Sequence, residues 1–193
     1  MKRLLTCCLF LAFVLGIATD GICAPPGAGQ TLPQFELPIP KEAAERQYLG
    51  LTGLLSRLGV GHFSVQQVNA PLVVVQIFSM YCPHCQKDAA NMNAFYRLVE
   101  SDQRARSSIR VIGIGAGNNP YEVGVFRQKY QIAFPLFPDP DYLIHKKLGE
   151  VRTPYFFVVR RGADGTQRLI YSQLGSFGDP ARFLSLLLDA GTH

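Results

Sequence analysis

Residues 71–79, PLVVVQIFS, form an almost unbroken apolar run rich in β-branched side chains. A strand exposed on one face alternates polar and apolar residues, whereas a run apolar at nearly every position is buried on both faces, as in a central, parallel strand. Parallel strands need crossover connections, so such a strand demands helices packed on both sides of its sheet. The sequence supplies them. A helix is expected from Pro83 to about Glu100, with Ala89, Met92, Phe95, Tyr96 and Val99 recurring at spacings of three and four. IRVIGIGAG, 109–117, reads as a second buried strand, followed by a helix over about Pro120 to Tyr130, the short apolar stretch AFPLF, and a short helix over about Asp141 to Leu148. YFFVVRR and QRLIYSQ then read as two strands joined through GADG, where Asp164-Gly165 is a hairpin-turn signal. A last amphipathic helix starts with Asp179 as N-cap and Pro180 in its first turn, offering Phe183, Leu184, Leu186, Leu187 and Leu188 to the core. The order implies a mixed α/β sheet: a parallel portion covered on both faces, with an antiparallel hairpin at one side.

The N-terminal part is organised differently. Met1-Lys2-Arg3 precede an apolar stretch from Leu4 to Ile17, and small residues follow. Residues 1–24 therefore read as a signal peptide or an N-terminal anchor, since the apolar stretch is shorter than the about 20 residues a membrane span requires. Ala18 and Ala24 both suit a cleavage site, which leaves the fate of Cys23 open. Residues 25–34, PPGAGQTLPQ, read as a linker, and FELPIP as a short strand that its prolines confine to a sheet edge or a cap. Lys41 to Leu58 mixes helical sequence with Gly50 and Gly53 as breakers. The remaining 35–193 is expected to be one domain, because 48% hydrophobic residues in a chain of 193 supply a continuous core. A net charge of +5 is spread along the chain without basic runs, so nucleic acid is not an expected partner.

Of five cysteines, Cys7, Cys8 and Cys23 belong to the N-terminal segment or its edge, leaving Cys82 and Cys85 for the folded body. A single close pair closes too short a loop to restrict the unfolded chain, so it is not a structural staple. Redox work needs a nucleophilic thiolate, exposure, and a second thiol in reach. Cys82 falls at a helix start, where unpaired N–H groups and the helix dipole favour negative charge, and Pro83 fits the first turn. Cys85 lies one turn on and is expected to be the more buried thiol. His84 is a candidate for stabilising the Cys82 thiolate, which would favour the reduced dithiol and make the disulfide more oxidising. A structural zinc site takes four ligands, and His62, His145 and His193 are scattered, so no metal is expected. Covalent haem attachment requires a histidine directly after the second cysteine, where Gln86 stands. Two inert buried thiols are the plain alternative.

VVVQIFSMYCPHCQKD resembles the strand, active-site turn and first helix of the thioredoxin superfamily, and VRTPYFFVV resembles its second hallmark, a Thr-Pro ahead of a strand. That resemblance implies a thioredoxin-like sheet with an extra N-terminal strand and one inserted β-α unit. It also implies a cis bond before Pro154 facing the nucleophilic cysteine, and Thr153 offering its backbone to a substrate peptide. The leader LPQFELP, the segment from Ile112 to Pro140 and the closing hairpin are similar to the TlpA/ResA-like exported branch, near the redoxins and peroxiredoxins. On that footing the chain is expected to be a periplasmic thiol-disulfide oxidoreductase with no cofactor beyond its own cysteines. Expected partners are exported cysteine proteins, c-type apocytochromes among them, and a membrane thiol donor or acceptor.

The sequence also departs from the branch. Tyr81 replaces the usual tryptophan before the first cysteine, and Pro-His is the dipeptide of the oxidising DsbA group, so direction stays open. The buried carboxylate of thioredoxin falls at Gln76, which cannot act as a base. Asp88, one turn beyond Cys85, is the candidate acid-base group; the alternative is an exposed acid near a helix start. Tyr81 is a candidate for shaping the substrate groove, against a plain rim aromatic, and Arg152, beside the Thr-Pro, for steering acidic substrates, against a solvated surface arginine. Two rival functions remain. A peroxidase is favoured by Ser79 three residues before Cys82 but disfavoured by Val75, where peroxiredoxins carry proline. A non-catalytic peptide-binding module would use the groove near Pro154.

Overall fold

A computed structural model describes residues 24–162 and 165–191. Both the signal or anchor segment and the Asp164 turn position lie outside these residues. The elements run β1 (Glu36–Pro38), α1 (Ala43–Leu49), α2 (Leu54–Leu58), β2 (His62–Ser64), a 3-10 turn (Val65–Gln67), β3 (Leu72–Phe78) and α3 (Pro83–Ser101). There follow α4 (Gln103–Ser108), β4 (Ile109–Ala116), α5 (Pro120–Tyr130), β5 (Leu136–Asp139), α6 (Leu143–Lys147), β6 (Tyr155–Arg161), β7 (Gln167–Leu174) and α7 (Pro180–Ala190).

The main sheet has the order β5-β4-β3-β6-β7. β3 is central and buried at every position, as its composition requires. It pairs in parallel with β4, β4 in parallel with β5, and β6 antiparallel to β3 with β7 antiparallel to β6. This is the thioredoxin-like mixed sheet the sequence implies, with AFPLF contributing its edge strand. The extra N-terminal strand is present, and of its two expected places it takes that of a cap: β1 pairs with β2 in a separate two-stranded ribbon and not with an edge of the main sheet. The ribbon lies over one face of that sheet, where Leu37 and Phe63 share a core with Val73, Val75, Ile77 and Phe157.

Alternation along β3 sends Val74, Gln76 and Phe78 to the opposite face. There α3 contributes Cys85, Ala89, Met92, Phe95 and Val99, and α7 contributes Phe183, Leu184 and Leu187. Leu186, expected in that core, is 48% exposed, because its place on α7 turns it from the sheet. The stretch 25–34 is docked rather than suspended: Gly29 N–H donates to Leu169 carbonyl at 2.7 Å, Leu169 N–H to Gln30 carbonyl at 2.8 Å, and Leu32 is buried. Pairing with β7 satisfies backbone groups that a free linker would leave to water.

Register decides what meets at the sheet's end. Ile77 lies opposite Tyr155, so residues after Phe78 and those before Tyr155 converge. The turn carrying Cys82 therefore faces Thr153-Pro154, whose peptide bond is cis.

Candidate active site

Cys82 is the N-cap of α3 and Pro83 occupies its first turn. The turn leading into it is tied at three points. Cys82 N–H donates to Ser79 carbonyl at 3.1 Å, Gln86 Nε2 to Met80 carbonyl at 2.7 Å, and Met80 N–H to Asn118 Oδ1 at 2.8 Å. Asn118 is fully buried between β4 and α5, with its Nδ2 unpartnered. No sequence motif marks it; the next residue, Asn119, is the helix cap of α5 and accepts from Glu122 N–H at 3.0 Å. The signal that was there is a pair of asparagines after a glycine at a strand end, with one more polar residue than a cap needs.

Cys82 and Cys85 are both free thiols, the first half-buried and the second fully buried. Cys82 Sγ accepts from Cys85 N–H at 3.4 Å and its thiol donates to Thr153 carbonyl at 3.3 Å. Partial burial pushes the Cys82 thiol up and donation to a carbonyl favours its protonated form. The Thr153 side chain, the N–H groups of Cys85 and His84, and the Cys85 thiol oppose them, and the net direction is below the ordinary thiol value of 9.0. Cys85 goes the other way. Burial pushes it up to about 12, outweighing a hydrogen bond from Ser79 N–H. One thiol is thus poised to attack while its neighbour holds its proton.

His84 is exposed and reaches the sulfur through its backbone N–H, and the residue lines the neighbouring groove. Asp88 sits on α3 one turn beyond Cys85 and is 7% exposed. Burial raises its carboxyl above the usual range, although Ser176 and Asn91 act against this. Its Oδ1 accepts from Asn91 at 3.4 Å and its Oδ2 has no partner. Asp88 is therefore not the exposed acid of the plain alternative. Gln76, on the same sheet face as Cys85, is 2% exposed.

Beside the cysteines lies a groove of about 560 Å³. One wall is α3, with His84, Lys87 and Asp88; another is Arg152, Thr153 and Pro154; the loop after β7 closes the third. Asn91 fastens that loop to the helix, donating to Gly178 carbonyl at 2.9 Å and Ser176 Oγ at 3.1 Å. Tyr81 is 64% exposed and lies away from this groove, its hydroxyl donating to the Glu122 carboxylate at the start of α5. That bond raises the phenol and lowers Glu122. Among the described residues no cluster of three or more His, Cys, Asp or Glu is placed to hold a metal ion.

Comparison with known proteins agrees with this geometry. No curated protein matches the sequence. The fold is similar to the thioredoxin domain of a thiol-disulfide oxidoreductase from Bacteroides vulgatus, at 10% identity and TM-score 0.60, covering 84% of this chain and 99% of that one. A secreted Mycobacterium tuberculosis disulfide oxidoreductase homologous to E. coli DsbE aligns at 18% identity and TM-score 0.50, over 70% of this chain and 90% of that one. Mycobacterium tuberculosis AhpC aligns at 12% identity and TM-score 0.55, over 88% and 99%. At these identities the likeness speaks for the fold. The sequence itself matches the AhpC/TSA family across residues 28–166. With the paired thiols at the head of α3 and a family match over well more than half its length, the chain belongs to the AhpC/TSA family as a thioredoxin-fold oxidoreductase.

Proposed function

We propose that the protein is an exported thiol-disulfide oxidoreductase acting on cysteine-containing proteins. One observation carries this reading: two adjacent thiols are held at opposite ends of reactivity, Cys82 lowered at a helix start and Cys85 raised by burial. A peroxide-reducing cysteine needs no second thiol one turn away. In the reductive direction, Cys82 thiolate attacks one sulfur of a substrate disulfide, forming a mixed disulfide while the other substrate sulfur leaves as thiolate and takes up a proton. Cys85 then loses its proton and attacks Cys82 Sγ. The Cys82–Cys85 disulfide forms, the second substrate thiol is released, and two electrons have passed to the substrate. Asp88, one turn from Cys85 with an unpartnered oxygen, takes the Cys85 proton. Thr153 presents its backbone to the substrate strand and Pro154 shapes the wall beside Cys82.

Export rests on the N-terminal segment; no helix among the described residues is long and apolar enough to cross a membrane. A periplasmic site, and an apocytochrome-like substrate with a membrane thiol donor or acceptor, follow from the resemblance to the TlpA/ResA-like branch. Two measurements test the reading. Iodoacetamide should modify Cys82 faster than a free cysteine at pH 7, and mild oxidation should bridge the pair; ordinary reactivity with no bridge would refute it. Equilibration with glutathione sets direction: a potential near about −270 mV marks a reductant and one near about −120 mV an oxidant. Family membership favours a second reading, a thiol peroxidase. Rapid peroxide consumption abolished by Cys82→Ser, with no exchange on protein disulfides, would establish it instead.

A further inference from the structure

We propose that the groove beside Cys82 selects substrate segments with an acidic side chain within a residue or two of the reacting cysteine. This deepens the thiol-exchange reading and rests on it. Most arginines with a described environment are tied down. Arg127 is paired with Glu45, and Arg46, Arg110, Arg160 and Arg161 donate to backbone carbonyls. Lys87 and Arg152 are different. Both are exposed, both line the groove, and neither has a hydrogen bond or ion pair among the described residues. Nothing in the fold uses their charge.

Their placement gives that charge a direction. Arg152 immediately precedes Thr153, the residue whose carbonyl meets the Cys82 thiol, and both line the groove, so a segment aligned along Thr153 lies next to it. Lys87 stands on the facing helix, one turn beyond His84. The single acid in the lining is Asp88, buried on the α3 wall, where its Oδ1 accepts from Asn91 and it makes no ion pair with either cation. A cysteine flanked by Glu or Asp meets two unpaired cations in a partly enclosed site, where screening is weaker than on open surface. A cysteine flanked by lysine meets repulsion in the same place.

The test uses peptides with one cysteine, capped as a neutral 2-thiopyridyl mixed disulfide and flanked by Glu, Gln or Lys. Attack by reduced Cys82 on the peptide sulfur forms the protein–peptide disulfide and expels thiopyridone, whose absorbance reports the rate. The expected order is Glu above Gln above Lys, with about threefold or more between the extremes at low ionic strength and little difference in high salt. Lys87→Glu with Arg152→Glu should reverse that order. The charge-matched pair Lys41→Glu with Arg57→Glu, exposed and outside the groove, should leave it unchanged. Equal rates for the three peptides, or an order that survives the groove reversal, overturns the inference while leaving thiol exchange intact. A serine-for-cysteine version of the Glu peptide separates the two readings further. If no peptide is exchanged but this one still shifts the amide resonances of residues 87 and 152, the redox reading fails and the acidic-segment site stands. If it shifts none of them, the site fails as well.

Discussion

Replacing Asn118 probes how the active-site turn is held. The side chain is wholly buried and its Oδ1 accepts the Met80 N–H at 2.8 Å, two residues ahead of Cys82. Asn118→Leu keeps the number and branching of the side-chain heavy atoms, removes the acceptor and also removes the unpartnered Nδ2. An orphaned buried N–H costs about 1–3 kcal/mol. Met80 is half-buried, which places the cost toward the lower end, and relief of the unpartnered Nδ2 offsets part of it. The net expectation is a loss of about 1 kcal/mol, or about 2–4 °C in Tm for a domain of this size. Asn118→Ala should lose more, because a cavity is added where Gly115 packs against the side chain. Urea unfolding measures both. The functional consequence is separate: a slackened turn loosens the contacts with the Thr153 side chain and the Cys85 N–H that lower the Cys82 thiol. The pH midpoint of Cys82 alkylation should therefore rise toward that of an ordinary thiol. If Asn118→Leu is as stable as the parent and its alkylation profile is unmoved, the bond neither stabilises the fold nor sets the turn.

Other expectations are more direct. Burial disfavours the Cys85 thiolate in the folded state alone, so the folded pKa, about 12, lies above the unfolded value near 9.0. Its contribution is fully present below pH 9 and is lost as pH rises toward 12, at up to about 1.4 kcal/mol per unit. Comparing Cys82→Ser with Cys82→Ser/Cys85→Ala by urea unfolding from pH 8 to 10 isolates it; parallel profiles would contradict it. Asp88 has a raised folded value, so wild type loses stability as pH climbs above the unfolded carboxyl range. Asp88→Asn should therefore be the more stable protein at pH 7, the gap closing in acid, yet should resolve a trapped mixed disulfide more slowly. Unchanged resolution would remove Asp88 from the proton path. Phe95 packs against Phe177 and Phe183 with centroids 5.4 and 5.1 Å away. Phe95→Ala should cost about 3–5 kcal/mol in urea unfolding, since Phe177 anchors the loop that forms one groove wall.

Which parts of this were legible in the chain follows from the range of the forces involved. β3, α3 and α5 were readable because apolar period, N-cap and Pro at a helix start are local: Cys82, Asn119 and Asp179 each accept an N–H three residues ahead. The redox pair was readable for the same reason, its spacing placing both sulfurs on one helical turn. β2 was not foreseen, and neither was α4, which has the local cap, Asp102 accepting Ala105 N–H at 2.8 Å, but at six residues is too short to show an apolar period. The ribbon of β1 with β2, the docking of Gly29 against Leu169 and the burial of Asp88 needed the assembled sheet.

The sequence by itself determined a buried central strand, a helix capped by a cysteine, and the chemistry that two neighbouring thiols can perform. The tertiary structure decided what those thiols face. Antiparallel pairing of β3 with β6 brings Thr153 to the Cys82 sulfur from 71 positions along the chain, and packing of β4 and α5 brings Asn118 to the turn. Desolvation separates the two thiols, and it depends on how many atoms from distant segments exclude water from each sulfur, a quantity that no stretch of neighbouring residues encodes.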